Sequence, residues 1–318
     1  MDIYNSIKNF NKQFEYQPEI VNSNKLDRHE RFIFVGMGGS ALAPDLLRIS
    51  NPDLDIQIHR DYGLPDLPDK ILKNSLIILN SYSGNTEEVL DAFKLALSKN
   101  LTMAVVSIGG KLLELALQNS IPYIQMPDWD LQPRLALGLN FKSLLKILGQ
   151  EQVLDTVSKV RFTDCEKIGK ELAEKLRGFV PIIYSSRKNG PLAYCWKIKI
   201  NETAKKPSFS NVFPELNHNE MIGFHPSEVS KLLSQNFNFI FLKDLTDNPR
   251  ILKRMEVTAK LLKDCKLNVE TLELNSDDVF TKIFSSLRLA DWVSYYIAKD
   301  YGIDPTDMSV IEEFKKQI

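Results

Sequence analysis

The sequence predicts an α/β protein made of two doubly wound domains, each with a parallel sheet flanked by helices. Short apolar runs alternate with helical patterns along the chain, which is typical of βαβ units. A series of such alternating segments is present in each half of the chain, which indicates a duplicated fold. The length of 318 residues also suits two domains of roughly 100–200 residues each.

The first half contains the clearest strand patterns. Residues 31–35 (RFIFV) and 75–80 (SLIILN) are strongly apolar and are each followed by a turn rich in glycine or serine. Further strands are expected at residues 54–59, 101–107 and 122–126, and helices include residues 40–49 and 86–99.

The second half repeats the pattern after a helical connector at residues 151–177. The expected strands are residues 179–185, 237–242 and 269–274, and the expected helices are residues 191–204, 249–265, 278–299 and 309–317. We place the domain boundary near residue 150, which gives an N-terminal domain of residues 1–150 and a C-terminal domain of residues 151–318.

The charge balance narrows the class of ligand. The chain has 40 basic and 41 acidic residues, so its net charge is −1. Such a chain has no overall field to attract nucleic acid or anionic lipid, and we expect neither as a partner. An anionic ligand must then be held by a local site, which favours a small phosphorylated metabolite. Residues 1–15 are polar, and no run approaches the roughly 20 apolar residues of a membrane span, so we expect a cytoplasmic protein.

Cysteines and histidines give no sign of a metal site. The three cysteines, Cys165, Cys195 and Cys265, are far apart and are predicted to be buried reduced thiols. The four histidines show neither HxH nor HExxH spacing, so neither a metal nor another cofactor is expected.

Two turns between a strand and a helix could hold an anion. The first is GMGGS, in which Gly38, Gly39 and Ser40 open a helix whose free amides would face a ligand. A plain structural turn is the alternative, because the motif matches neither GxGxxG nor a P-loop. The second is SYSGNTEE, in which the hydroxyls of Ser81, Ser83 and Thr86 can donate to one phosphate. Ordinary helix capping by Thr86 is the alternative there.

Together these motifs resemble the SIS (sugar isomerase) domain of sugar-phosphate isomerases and sugar-phosphate-binding regulators. The blocks PRLALG, NETAK and PELNHNE resemble the bifunctional phosphoglucose/phosphomannose isomerase family more specifically. The ending is also similar to that family, and the resemblance extends from residue 31 to the C-terminus. It implies two SIS domains and a metal-independent interconversion of glucose 6-phosphate and mannose 6-phosphate with fructose 6-phosphate.

The resemblance also implies the site residues. Glu202 matches the family's proton-shuttling glutamate, and His218 matches its ring-opening histidine. Arg134 matches the arginine that stabilises the charge of the enediolate. Lys299 is the candidate for a lysine near the ring oxygen of the sugar. Ser40 would lie close to the sugar, while Ser81, Ser83 and Thr86 match the phosphate pocket.

The chain departs from the family pattern near its C-terminus. The family has a small polar residue about two turns before the lysine, whereas Trp292 stands seven positions before Lys299. Either the register differs or the sugar pocket has another shape. Arg187 or Lys188 could reach a phosphate, although solvent exposure is the simpler expectation. Glu215 and Glu220 flank His218 and could orient its ring or bind across a subunit contact.

The family resemblance implies a homodimer, in which His218 of one chain completes the site that contains Glu202 of the other. Two other functions remain open. One is a regulator that binds a sugar phosphate without converting it, which would need the two turns but not Glu202, His218 or Arg134. The other is an isomerase for aminated or shorter sugar phosphates.

Overall fold

The computed structural model describes residues 2–224, 231–276 and 278–317 and divides into two compact units. The units are Met1–Arg161 and Phe162–Ile318. Each contains one sheet in which the strands pair in parallel. The predicted α/β class is confirmed.

The first unit is built on a five-stranded sheet in the order β2-β1-β3-β4-β5. Its strands are β1 (Arg31–Val35), β2 (Asp55–His59), β3 (Ser75–Asn80), β4 (Met103–Ser107) and β5 (Tyr123–Gln125). Its α-helices are α1 (Ile3–Lys8), α2 (Gly38–Ser50), α3 (Asp69–Lys73), α4 (Glu87–Ser98), α5 (Gly110–Gln118), α6 (Leu137–Ile147) and α7 (Glu151–Ser158). Short 3₁₀ turns cover Phe10–Glu15, Ser23–Lys25 and Pro133–Leu135.

The central strand β3 is buried along its whole length, because helices cover both faces of the sheet. Ile77 and Leu79 pack on one face with apolar residues of α4 and α5. Alternate residues point to the opposite face, where Asn80 bonds to Asn140 of α6 at 2.9 Å. The apolar run in the sequence is thus the core of the first unit.

The second unit is built on a four-stranded sheet in the order β7-β6-β8-β9. Its strands are β6 (Val180–Ser186), β7 (Phe209–Phe213), β8 (Phe237–Lys243) and β9 (Asn268–Glu273). Its α-helices are α8 (Glu166–Lys175), α9 (Gly190–Ala204), α10 (Glu220–Gly223), α11 (Lys231–Ser234), α12 (Pro249–Asp264), α13 (Val279–Asp300) and α14 (Ser309–Gln317). A 3₁₀ turn covers Glu215–Asn217.

Three details add to or differ from the sequence-based expectation. Strand β7 was not predicted, and it lies at the edge of its sheet with Phe209 exposed. The helical connector at residues 151–177 consists of two helices, α7 and α8, separated by residues 159–165. The units divide after Arg161 rather than near residue 150, because α7 packs on α6 of the first unit.

The three cysteines are free, but only Cys195 is fully buried; Cys165 and Cys265 are half-buried. The prediction of buried thiols is therefore right for Cys195 alone. Burial raises the pKa of the Cys165 thiol to about 11, so this group carries a proton at neutral pH. None of the helices within the described residues is long and apolar enough to cross a membrane.

Candidate functional site

The chain reverses its winding direction between β1 and β3 in the first unit, and between β6 and β8 in the second. In such sheets a ligand crevice forms at the carboxyl ends of the strands beside this reversal. We call the carboxyl ends of β1 and β3 the first crevice, and those of β6 and β8 the second crevice. Both predicted anion turns follow β1 and β3, so both lie in the first crevice.

The glycine turn, residues 36–40, joins β1 to α2. Gly39 has no room for a side chain, since a Cβ atom there would lie 2.8 Å from the backbone nitrogen of Arg134. The absence of a side chain therefore allows the Pro133–Leu135 turn to approach the start of α2. Gly38 opens the helix in a left-handed conformation with φ +47°.

Ser40 links the glycine turn to the neighbouring strand and loop. It is buried, and its Oγ accepts a hydrogen bond from the Tyr82 amide at 2.9 Å. Its carbonyl accepts one from Asn80 Nδ2 at 2.7 Å. Ser40, predicted to lie near the sugar, thus lies where the two anion turns meet.

The hydroxyl turn, residues 81–86, joins β3 to α4. Ser81 Oγ and Thr86 Oγ1 are 2.8 Å apart, and the Gly84 amide donates to Ser81 Oγ at 3.1 Å. The third predicted residue, Ser83, is exposed, and its Oγ accepts from the Asn85 amide at 3.2 Å. The structure therefore brings Ser81 and Thr86 together, with Ser83 on the same short loop.

Thr86 occupies the N-cap position of α4, but its side chain makes no capping hydrogen bond. The capping alternative for this threonine is therefore wrong. A helix start that its N-cap residue does not cap presents amide donors and the positive end of the helix dipole. These are the groups that bind a phosphate at a helix N-terminus.

A third turn, which the sequence analysis missed, supports the hydroxyl turn. Gly84 has φ +72°, and a Cβ atom there would lie 1.8 Å from the Gly109 carbonyl oxygen. The Ile108 amide donates to the Tyr82 carbonyl at 3.0 Å, and the Leu112 amide donates to the Gly84 carbonyl at 2.9 Å. The shape of the hydroxyl turn thus depends on the segment that follows β4.

Arg134 lies in the 3₁₀ turn Pro133–Leu135 and is fully buried. Arginine keeps its charge even when buried, so this side chain is a permanent cation within the protein. The turn is brought next to the glycine turn through the contact at Gly39.

In the second unit, Glu202 lies in the last turn of α9 and is half-buried. Two neighbours hold the end of this helix. Lys205 adopts φ +50° and donates its ammonium to the Glu202 carbonyl at 2.5 Å, while Asn201 Nδ2 donates to the Lys206 carbonyl at 2.8 Å. The asparagine and lysine of the NETAK block therefore fix the backbone that carries Glu202.

His218 is exposed and follows the 3₁₀ turn Glu215–Asn217. The residues beside it anchor this segment to the unit. Asn217 Nδ2 donates to Thr258 Oγ1 of α12 at 2.8 Å. Glu220 accepts a hydrogen bond from the Tyr184 hydroxyl at 2.6 Å and another from Asn211 Nδ2.

Hydrogen bonds distinguish the roles of the two glutamates that flank His218. Both carboxyl oxygens of Glu220 accept hydrogen bonds from strands β6 and β7, so Glu220 anchors the segment. Burial and the Glu220 carboxylate raise the pKa of Tyr184, so Tyr184 stays a donor. Glu215 accepts a hydrogen bond from Asn219 Nδ2 at 2.8 Å.

Lys299 lies in the last turn of α13, where it is exposed, with its Nζ 6.0 Å from the centre of the Tyr296 ring. Trp292, seven residues earlier, is fully buried. A Cβ atom on Gly169 of α8 would lie 2.4 Å from the Trp292 Cβ, so Trp292 packs closely against that helix. Its large ring thus fills space between α13 and α8.

A buried ion pair also escaped the sequence analysis. Lys199 of α9 and Asp291 of α13 are joined by a 2.6 Å bond, and both are fully buried. The signal was a charged residue between two apolar neighbours, as in Ile198–Lys199–Ile200. Such a pair fixes how α9 packs on α13, and α9 carries Glu202.

The second crevice contains its own charged cluster. Asp244 directly follows β8 and binds Lys282 of α13 at 2.8 Å and Lys188 at 3.3 Å. Ser186, at the end of β6, donates to Asp247 at 2.9 Å. Lys188, a candidate phosphate ligand from the sequence, therefore pairs with a carboxylate of the protein.

Comparisons with known proteins agree with this architecture. Residues 166–318 match the model of the bacterial phospho-glucose isomerase C-terminal SIS domain. The C-terminal domain of glucosamine-fructose-6-phosphate aminotransferase from Francisella tularensis has a similar fold, with a TM-score of 0.68 at 14% identity. That comparison covers 95% of each chain.

Full-length relatives identify the family. A bifunctional phosphoglucose/phosphomannose isomerase of Caldicellulosiruptor bescii is 33% identical over 99% of this chain and 97% of its own. A second bifunctional phosphoglucose/phosphomannose isomerase, from Aquifex aeolicus, is 29% identical over 100% of this chain and 98% of its own. A D-glucosamine-6-phosphate 4-epimerase of Sulfolobus acidocaldarius is more distant, at 25% identity over 91% of this chain and 89% of its own. The chain belongs to the bifunctional phosphoglucose/phosphomannose isomerase family.

Proposed function

We propose that this protein interconverts fructose 6-phosphate with glucose 6-phosphate and mannose 6-phosphate through a cis-enediol. The observation that carries the proposal is the hydroxyl turn, where Ser81 and Thr86 meet at the uncapped start of α4. The family that the chain belongs to supports the choice of substrates.

The hydroxyl turn would bind the phosphate of each substrate. Ser81, Ser83 and Thr86 supply hydroxyl donors, and the first amides of α4 add backbone donors. Gly38, Gly39 and Ser40 would lie against the sugar. Because the phosphate is the same in all three sugars, this pocket can hold each of them while the other end of the sugar reacts.

The reaction moves one proton between neighbouring carbons. From the open-chain ketose, Glu202 removes a proton from C1, and the carbonyl oxygen at C2 takes up a proton from solvent to give the enediol. The acid form of Glu202, whose proton can exchange with solvent, then protonates C2, while the hydroxyl at C1 gives its proton to solvent and becomes the aldehyde. Addition to one face of C2 gives the glucose configuration, and addition to the other gives mannose.

The remaining residues serve ring opening and charge stabilisation. His218 would exchange the proton between the ring oxygen and the anomeric hydroxyl, with Lys299 near the ring oxygen. Arg134 would stabilise the negative charge that develops on the enediolate oxygen. A permanent guanidinium away from water is suited to that role, because its field is less screened than at the surface.

We also propose a homodimer in which His218 acts on the substrate bound by the partner chain. Its exposed position on an anchored segment supports this arrangement. Mixing Glu202→Gln chains with His218→Ala chains tests it, since mixed dimers would then regain one complete site. A cytoplasmic location is proposed because phosphorylated sugars are formed and used inside cells.

The test is an assay of the purified protein with fructose 6-phosphate, in the presence of EDTA, following the glucose and mannose products separately. We expect both products. Glu202→Gln should abolish both while a sugar-phosphate analogue still binds, and Glu171→Gln, at an exposed position on α8, should retain activity. Binding without turnover would instead support the regulator, and turnover of glucosamine 6-phosphate alone would support an isomerase or epimerase of aminated sugars.

A further inference from the structure

The N-terminal segment of the first unit packs against the start of α6. Within its 3₁₀ turn Phe10–Glu15, Phe14 is fully buried and Gln13 is only 2% exposed. The buried ammonium of Lys142 donates to the Phe14 carbonyl at 2.6 Å and to Ser158 Oγ at 2.8 Å. The segment is thus fixed on α6 by polar bonds as well as by apolar packing.

Gln13 uses both ends of its amide in these contacts. Its Nε2 donates to the Leu135 carbonyl at 2.7 Å. Its Oε1 accepts from the Gly138 amide at 2.9 Å and from the Leu139 amide at 3.3 Å. Gln13 therefore binds the last residue of the turn that contains Arg134 and also the first turn of the helix that follows.

The start of α6 depends on this distant side chain. Its N-cap residue, Ala136, has no side chain able to cap the helix. Gly138 leaves space for the glutamine, since a Cβ atom there would lie 2.8 Å from the Gln13 Cβ. The glycine of the PRLALG block is thus matched to Gln13, which supplies the missing cap from 125 residues away in sequence.

We propose that Gln13 is a positioning residue that holds Arg134 in its reactive place. The proposal rests on the proposed function of Arg134. The 3₁₀ turn is short and contacts Gly39 at the Arg134 backbone and Gln13 at the Leu135 carbonyl. Loss of the Gln13 bond would let the turn and its guanidinium shift relative to α2. Shifts of about 1 Å can cost on the order of 100-fold in rate.

Two substitutions distinguish the contributions of the two ends of the Gln13 side-chain amide. Gln13→Leu removes both interactions. Gln13→Glu keeps an acceptor for the Gly138 and Leu139 amides, but its ionised carboxylate opposes the Leu135 carbonyl. When protonated, the introduced carboxyl group can donate to that carbonyl and restore the link. Asn22→Asp is the matched control, because Asn22 also donates from a side-chain amide to a backbone carbonyl, that of Ile121, at 3.3 Å.

The experiment measures kcat and KM against pH, together with the rate at which phenylglyoxal modifies Arg134, mapped by mass spectrometry. We expect Gln13→Leu to lower kcat roughly 10- to 100-fold with little change in KM and to make Arg134 reactive. Gln13→Glu should behave in the same way at high pH, and both readings should return towards wild type as pH falls. Asn22→Asp should match wild type in both.

The two readings separate this inference from the proposed function. If Arg134 becomes reactive while kcat is unchanged, Gln13 positions the turn but Arg134 has no role in the reaction. The same modification experiment decides the positioning even in a protein that turns over no sugar phosphate. If Arg134 stays protected in Gln13→Leu, or if Gln13→Glu shows no dependence on pH beyond that of wild type, the positioning role is overturned.

Discussion

The two crevices of this protein have the same strand arrangement but different contents. In the first crevice, the residue directly after β3 is Ser81, whose hydroxyl lies beside Thr86 and the Gly84 amide. In the second, the residue directly after β8 is Asp244, whose carboxylate is bound by Lys282 and Lys188. The first crevice thus presents neutral donors, and the second is filled by an anion of the protein and its counterions.

The difference teaches that the fold alone does not make a phosphate site. Burial acts to raise the pKa of Asp244, but hydrogen bonds from Lys282, Thr246 and Asn189 outweigh it and hold the pKa well below its usual range. Asp244 is therefore ionised at neutral pH. In the second crevice, Asp244 occupies the two ammonium groups that a phosphate would need. The loop of the first crevice offers hydroxyl and amide donors, and the carboxylates of Glu87 and Glu88 follow in the first turn of α4. We therefore expect one phosphate site per chain.

The largest effect is expected from Ser81→Asp, which gives the first crevice the carboxylate of the second. The bonds of this turn in the described residues include the Lys111 backbone amide but no lysine ammonium, so the new charge would lack a counterion and would repel the phosphate directly. The affinity for glucose 6-phosphate should fall by at least about 100-fold, since like charges across an interface cost several kcal/mol. Titration calorimetry measures this effect, with Ser98→Asp at the exposed far end of α4 as the control. An unchanged affinity would show that the phosphate does not bind at the hydroxyl turn.

The next effect is on stability and concerns the second crevice. Asp244→Asn leaves the nearly buried Lys282 without its charged partner. The free energy of unfolding should fall by about 3 kcal/mol, while binding of glucose 6-phosphate stays the same. Urea denaturation of Asp244→Asn and of the exposed control Asp264→Asn provides the comparison. The double variant Asp244→Asn, Lys282→Met should recover part of the loss, and a weakened sugar-phosphate affinity would contradict the assignment of separate roles.

A smaller effect is expected from Gly84→Ala. The new Cβ atom would overlap the Gly109 carbonyl oxygen, so the hydroxyl turn must shift. We expect KM to rise by roughly tenfold, equivalent to about 1.4 kcal/mol of lost substrate binding. Gly149→Ala is the matched control, because Gly149 has φ +65° but nothing within 4 Å of its Cβ position. The Gly149→Ala substitution should lower the free energy of unfolding by about 1–2 kcal/mol without changing KM.

The smallest effect is a pH dependence of stability that arises from Asp247. Burial raises the pKa of this carboxyl group in the folded protein above 3.8. The folded state therefore binds the proton more tightly, and the contribution of Asp247 to stability is lost as pH rises from 3.8 through the folded pKa. Asp247→Asn should gain stability relative to wild type over that rise, measured by urea denaturation at several pH values. A relative loss over the same rise would show that the carboxylate is stabilised in the fold.

The sequence predicted those features of the fold that depend on neighbouring residues. Eight strands lie where an apolar run or an alternation of polar and apolar residues predicted them, and the glycine and hydroxyl turns are each continuous in sequence. The edge strand β7 was missed because only its last residue, Phe213, is fully buried, whereas Phe209 at its start is exposed. Strand β7 pairs with β6 on one side only, so its residues need not follow the apolar pattern of a strand that is buried in the middle of a sheet.

The parts of the site that were missed depend on contacts between distant residues. Gln13 lies 122 residues from Leu135, and the turn at Gly109 supports Gly84 from another strand end. Neither pairing has a local pattern, because each contact forms only when the fold brings two distant segments together. The PRLALG and PELNHNE blocks marked Arg134 and His218, whereas the anchoring roles of Gln13 and Glu220 became evident only from their hydrogen bonds.

Proton transfer by Glu202 is the central claim and can be measured directly. Fructose 6-phosphate is incubated with wild type and with Glu202→Gln in D₂O, and deuterium at C2 of the glucose 6-phosphate and mannose 6-phosphate products is followed by NMR. We predict that wild type forms both products with deuterium at C2, because the proton held by Glu202 exchanges with D₂O before C2 is protonated, and that Glu202→Gln forms neither. Turnover in Glu202→Gln with deuterium still entering at C2 would contradict the account, since another group would then carry the proton.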